Sequence, residues 1–302
     1  EHTHPVPETA IPANVVAHLK PHQRQGAEKA VASLDKDGAF LLADGTGAGK
    51  TRQILAAATV HARRGKAVLI IAPKQVFQPD WNAGTFAGSY RADADAMGVP
   101  VRLAKEGPLA PGTVTITTYD HMHKFPVDRN TSLVFDEAHG LKNADSARSR
   151  AGMDMADRAG SVLFASATPA DKPTHIHYLA RAGALEGKSA DRQMTDLGMK
   201  PANVRGKVVW MPDTSKFGRN ATRVTHERLN RLFERMTDRG QIVKRELSMK
   251  GVTVEAQSVH LPPEARAMMD RIEAESGANH GQMFMAQRRQ QEPFKIPLAV
   301  EA

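Results

Sequence analysis

From residue 34 to residue 179, short apolar runs alternate with amphipathic stretches, the rhythm of strand–helix units. Ala39-Phe40-Leu41-Leu42-Ala43 reads as a buried strand, and a glycine-rich turn follows it. Residues 49–61 put Ile54, Leu55, Ala58 and His61 on one side and predict a helix that Gly65 stops. Residues 67–72 predict the next strand, and 114–117, 132–135 and 161–165 predict three more. Runs this apolar suit strands covered on both faces, hence a mostly parallel sheet flanked by helices. Residues 83–111, rich in Gly, Ala, Asp and Pro, predict a helix with irregular loops.

After residue 180 the pattern changes. Residues 184–222 scatter Gly, Lys, Asp and Pro with weak periodicity, which predicts an extended excursion. Leu229, Leu232, Phe233 and Met236 then fall on one helical stripe. Val252, Val254 and Ala256 alternate with polar residues as in a strand, and residues 264–275 resume helical periodicity.

Composition narrows the class. The 302 residues contain no cysteine, which excludes a disulfide scaffold, a zinc-thiolate site and a cysteine nucleophile. Apolar runs such as Val68-Leu69-Ile70-Ile71-Ala72 are too short to span a membrane, and no signal stretch opens the chain. These features predict a soluble, intracellular protein with no membrane partner. The chain starts at Glu1 without Met and stops mid-pattern at Ala302, which suggests a piece of something longer. Its net charge of +8 is uneven: residues 214–250 hold ten Lys/Arg against four Asp/Glu. Such a surplus is either an electrostatic footprint for nucleic acid or a solvated surface.

The strongest chemical signal is Asp44-Gly45-Thr46-Gly47-Ala48-Gly49-Lys50-Thr51, between a predicted strand and a predicted helix. Glycines let backbone N–H groups curl around a phosphate at a helix N-terminus. Lys50 would reach the β- and γ-phosphates and the Thr51 hydroxyl would ligand Mg²⁺. One departure stands out, because the general pattern has Gly where Asp44 lies. The second signal is Asp136-Glu137-Ala138-His139, directly after a strand, where ligands of parallel sheets bind. Asp136 would hold the Mg²⁺ of a bound nucleotide, and Glu137 would orient or deprotonate the attacking water.

With these motifs in order, the sequence resembles the first RecA-like lobe of a superfamily-two helicase or translocase. The DEAH sequence with Gly140-Leu141-Lys142-Asn143, and Leu19-Lys20-Pro21-His22-Gln23 with Ala43-Asp44, are similar to the Swi/Snf-type ATPases. That similarity accounts for Asp44. Ala72-Pro73-Lys74 with Trp81 resembles motif Ia, Thr117-Thr118-Tyr119 motif Ib, and Ser166-Ala167-Thr168-Pro169 motif III. Within the superfamily, residues 240–252 and the form of the P-loop resemble the strawberry-notch helicases.

The resemblance implies an α/β fold, a RecA-like P-loop NTPase lobe over residues 1–182. A mixed α/β extension, 183–302, would lead to a second RecA-like lobe that is absent. It implies ATP and Mg²⁺ as ligands and nucleic acid, DNA rather than RNA, as partner. Gln23 would read the adenine edge, and Gly45, Thr46, Gly47, Ala48, Gly49, Lys50 and Thr51 would hold the phosphates and metal. Lys50, Asp136 and Glu137 would be the catalytic set, with Thr51 and Asp136 on the metal. His139, Ser166 and Thr168 would couple hydrolysis to lobe movement, and Pro73, Lys74, Thr117 and Thr118 would line the nucleic-acid track. The catalytic arginines would come from the missing lobe, and Gln287-Arg288-Arg289-Gln290 only superficially resembles their motif. The function so implied is an ATP-dependent DNA helicase or translocase. The alternatives are an ATP-binding scaffold without productive hydrolysis and the motor of a restriction system.

Weaker patterns have plainer readings. Arg228, Arg231, Arg235 and Arg239 share a helical face, either a phosphate track or a solvated face bridged by Glu227, Glu234 and Asp238. The His-x-His pairs 2/4, 121/123 and 175/177 read as chance, and Met268, Met269, Met283 and Met285 as core filling.

Overall fold

The computed structural model describes residues 11–245. The sequence patterns at 252–256, 264–275 and 283–290 lie outside these residues, as does His2/His4. By contacts the chain divides into Glu1–Ser248 and Met249–Ala302, so the expected division at residue 182 falls inside the first unit.

In this unit the elements that position the site are α1 (Pro21–Lys36), β1 (Ala39–Leu42), α2 (Lys50–Arg63), β2 (Ala67–Ala72), α3 (Gly88–Met97) and β3 (Val101–Leu103). They continue with β4 (Val114–Thr118), β5 (Thr131–Asp136), α4 (Ala147–Arg158), β6 (Ser161–Ala165), β7 (Met199–Val204), β8 (Lys207–Pro212), α5 (Ala221–Asp238) and β9 (Ile242–Val243). Seven strands form one sheet in the order β9-β1-β6-β5-β2-β4-β3. Every pairing in it is parallel. The order sets the site. Because β6 lies between β1 and β5, the three loops that leave their C-terminal ends emerge side by side.

Alternate residues of each strand feed opposite layers. Phe40, Leu42, Val68, Ile70 and Val134 pack with Ile54 and Leu55 of α2. Leu41, Leu69, Leu133, Phe135 and Phe164 pack with the expected stripe of α5, all four members of which are buried. No described helix is long and apolar enough to cross a membrane.

The chain departs from expectation in two places. Residues 83–111 add β3 after their helix, a three-residue edge strand too short to show alternation. Residues 184–222 form a short helix (Ala190–Asp196), the antiparallel hairpin β7–β8 and a further helical turn. The hairpin was hidden because its turn is Arg205-Gly206, both with positive φ (52° and 79°), where Asn-Gly is the usual signal.

His61 of α2 is fully buried, and its Nδ1 lies 2.8 Å from Ser132 Oγ. Its Nε2 is 3.7 Å from Asp35, too far for a hydrogen bond. Burial, reinforced by the charge of Lys66, lowers its pKa from 6.5 to about 4. The unfolded chain therefore takes up a proton that the native state refuses. Stability present above pH 6.5 is lost as pH falls towards 4, on the order of 3 kcal/mol. Urea melts at pH 7 and pH 4.5 should show this loss, and His61→Gln should shrink it; an unchanged slope would assign acid sensitivity elsewhere.

Candidate nucleotide site and its nucleic-acid face

The P-loop runs from the end of β1 into α2, and its shape depends on Gly47 and Gly49, with φ of 80° and 78°. A Cβ on Gly49 would lie 2.0 Å from Gln23 Nε2 and would push that side chain aside, and the φ of 78° strains any other residue there, so the position favours glycine. Gln23 is buried in the first turn of α1, and its Nε2 donates to Ala48 O at 3.1 Å. Its Oε1 accepts from Lys20 N at 2.9 Å, which caps the helix. Lys50 Nζ donates to Asp44 O (3.1 Å) and Gly45 O (3.4 Å), so its ammonium lies within the loop's own curve. Thr51 follows in the first turn of α2, whose N-terminal N–H groups suit an anion.

Asp44 has a partner that the sequence did not suggest. It is fully buried, and Arg245 grips it with two bonds, Nε to Oδ1 at 3.0 Å and Nη2 to Oδ2 at 2.8 Å. Gln53 Nε2 adds a third at 3.0 Å. Arg245 also donates to His22 O, and Gly45 N donates to Arg245 O at 2.8 Å. The residue that replaces the usual glycine is thus one half of an ion pair tying the loop to the chain just beyond β9.

Asp136 ends β5 with 5 % of its surface exposed. Tyr90 Oη donates to its Oδ2 (3.0 Å), Glu137 N to its Oδ1 (3.0 Å), and Tyr119 Oη to its carbonyl (2.7 Å). Burial, helped by the neighbouring charge of Glu137, pushes its pKa up to about 6. A carboxylate so short of positive charge fits a divalent cation, which would restore its ionised form. No cluster of three or more His, Cys, Asp or Glu that could hold a metal exists among the described residues, so His121/His123 and His175/His177 form no such centre. Mg²⁺ bound through one carboxylate, one hydroxyl and phosphates needs none.

Glu137 sits in the left-handed region (φ 50°), a strained conformation that aims its side chain out of the strand line. Its Oε2 is 3.0 Å from His139 Nδ1, and that hydrogen bond holds its pKa below the usual range. His139 Nδ1 is also 3.3 Å from Ser166 Oγ, which accepts from Thr168 N at 3.2 Å. The three residues expected to couple hydrolysis to movement therefore form one chain of contacts with Glu137.

Beside it opens a cavity of about 310 Å³ bordered by Pro73, Lys74, Thr118, Glu137, His139 and Arg148. Three residues of the expected nucleic-acid track, Pro73, Lys74 and Thr118, border this cavity. Thr117 is fully buried within β4, since alternate residues of a strand face opposite ways, and only Thr118 reaches the cavity. The arginine face of α5 carries pairs of its own. Arg235 and Arg239 pair with Glu186, Arg231 with Glu227, and Arg228 donates to Asp196 O. It is a bridged face, with Glu186 in place of the expected Glu234 and Asp238.

A family model described as SNF2-related domain matches residues 22–177, more than half the chain. The chain belongs to the SNF2-related family. Among curated relatives, the SWI/SNF-related matrix-associated actin-dependent regulator of chromatin subfamily A-like protein 1 of Bos taurus is 29% identical over 171 residues. Its Xenopus laevis counterpart is 27% identical over 176. In each case the match takes in 55% of this SNF2-related chain and 17% of the relative. The fold is that of the Sulfolobus solfataricus SWI2/SNF2 ATPase core in complex with dsDNA. That match has a TM-score of 0.57 at 18% identity, over 93% of this chain and 59% of that one. The core domain alone superposes with a TM-score of 0.52 at 16% identity, covering 93% and 58%.

Proposed function

We propose that this SNF2-related chain is the first RecA-like lobe of an ATP-dependent DNA translocase of the strawberry-notch kind. The observation that carries this is the side-by-side arrangement of P-loop, DEAH and Ser-Ala-Thr loops on one sheet edge, joined by the Glu137–His139–Ser166 contacts. Gln23 would meet the adenine, Gly45 to Gly49 and Lys50 the phosphates, and Thr51 and Asp136 the Mg²⁺. The metal, when bound, neutralises charge on the phosphates. Glu137 would orient the attacking water, and its proton would pass to the carboxylate. His139, Ser166 and Thr168 would pass the state of that site to the cavity edged by Lys74 and Thr118, where a phosphate backbone would lie. Arginines from a second lobe would complete the site.

Nucleotide binding is the direct test. Lys50→Ala should weaken a fluorescent ATP analogue about tenfold to a hundredfold, because a charge-assisted bond worth about 1.5–3 kcal/mol has no substitute in the glycine loop. Equal affinity in wild type and variant would overturn the assignment.

A further inference from the structure

The hairpin β7–β8 stands apart from the main sheet as a separate two-stranded ribbon. Among the described residues, every exposed large hydrophobic lies on it: Val204, Val208, Val209 and Met211. The register places Val204 beside Lys207, Ala202 beside Val209 and Lys200 beside Met211, so these six share one face. On the opposite face Trp210 packs against the core at the base and anchors the ribbon.

Its charge has one sign. Residues 199–212 contain Lys200, Arg205 and Lys207 and no Asp or Glu. Lys200 is engaged by Asp213 and Ser215 at the base. Arg205 and Lys207, at the tip, have no ion-pair partner among the described residues. Arg205 also holds a left-handed turn position that Asn or Gly would occupy with less strain. A strained arginine beside an exposed valine is a poor choice for a bare surface turn and a good one for an anionic groove.

We propose that this hairpin is a DNA-binding arm that lays its apolar–basic face in the major groove of a duplex. The inference rests on the DNA-translocase reading above. Each strand has six residues, about 20 Å of ribbon, and the major groove, roughly 12 Å wide, admits a two-stranded ribbon. Arg205 and Lys207 neutralise phosphates, and the valine and methionine side chains meet base edges and thymine methyls. The arm is tied to the motor site. Its base packs on α5, whose His226 Nε2 is 3.0 Å from Asp171 O, and Asp171 Oδ2 accepts from Lys142 Nζ at 2.6 Å. Asp171 follows the Ser-Ala-Thr loop and Lys142 follows DEAH.

The test is fluorescence anisotropy of a labelled duplex across a salt series. Arg205→Asn with Lys207→Thr should weaken binding about tenfold at low salt and flatten the log–log salt slope by about 1.8, two phosphate contacts' worth. Arg205→Asn puts asparagine ahead of Gly206, a better hairpin turn than the natural one, so a loss cannot come from a misfolded arm. Val209→Ser with Met211→Ser should weaken binding with the slope unchanged. Nucleotide affinity should stay at the wild-type value in both. If wild type binds DNA and the variants match it in affinity and slope, the arm proposal falls while the translocase reading stands, leaving a protein as the hairpin's partner. If wild type shows no salt-dependent binding, both fall.

Discussion

Arg245→Ala is expected to destabilise the chain by about 3–5 kcal/mol, the usual cost of leaving a buried carboxylate without its cation. Asp44 is fully buried, and after the change Gln53 alone among its side-chain donors would remain. The arginine side chain is 27% exposed, which sets the lower part of that range as the better guide. The double variant Asp44→Ala/Arg245→Ala should cost less than the sum of the two single changes, because it removes the stranded charge with its partner. Urea denaturation of the four proteins gives the coupling directly. Additive losses, or a loss under about 0.5 kcal/mol for Arg245→Ala, would show that the pair merely decorates the loop. Nucleotide affinity should fall with Arg245→Ala as well, since the lost guanidinium holds Asp44 at the start of the P-loop.

ATP turnover by this chain alone should be slow, about 10³–10⁵ below that of a protein in which a second lobe adds its arginines. Among the described residues, two arginines border the site: Arg245, held by Asp44, and Arg148, which pairs with Asp120 on the surface and lies over Tyr119. Arg245 is held away from charge building on the transferred phosphoryl group by its two bonds to Asp44. In a protein that carries a second lobe, Glu137→Gln should abolish turnover and spare ATP binding, because the amide keeps the shape but cannot take the proton. Steady-state phosphate release on both proteins decides it. Brisk, DNA-stimulated hydrolysis by this chain would mean that it carries its own catalytic arginine.

What was legible in the sequence was contiguous. The strands that became β1, β2, β5 and β6 are unbroken apolar runs because both their faces are covered. The P-loop and DEAH signals are short because each is one turn at one strand end. The stripe of α5 was legible for the same reason. What escaped depends on distance along the chain. Tyr90 meets Asp136 across 46 residues and Arg245 meets Asp44 across 201, and no local pattern announces either. β9 has two residues, too few for any period, and is a strand only because β1 offers its edge. Thr117 and Thr118, adjacent in the motif, are turned to opposite faces by the strand, and only Thr118 borders the cavity.

The outermost strand has a consequence for the order in which the protein is made. Leu41 N, Ala43 N and Gly45 N donate to Gln241 O, Val243 O and Arg245 O, so the base of the nucleotide loop is fastened by the last described residues. A ribosome adding about 5–20 residues per second reaches Arg245 roughly 10–40 s after Asp44. Through that interval the growing chain holds an acidic loop without its counter-ion and a β1 edge without its neighbour. That open edge is a site for mispairing with other chains until a strand made two hundred positions later covers it.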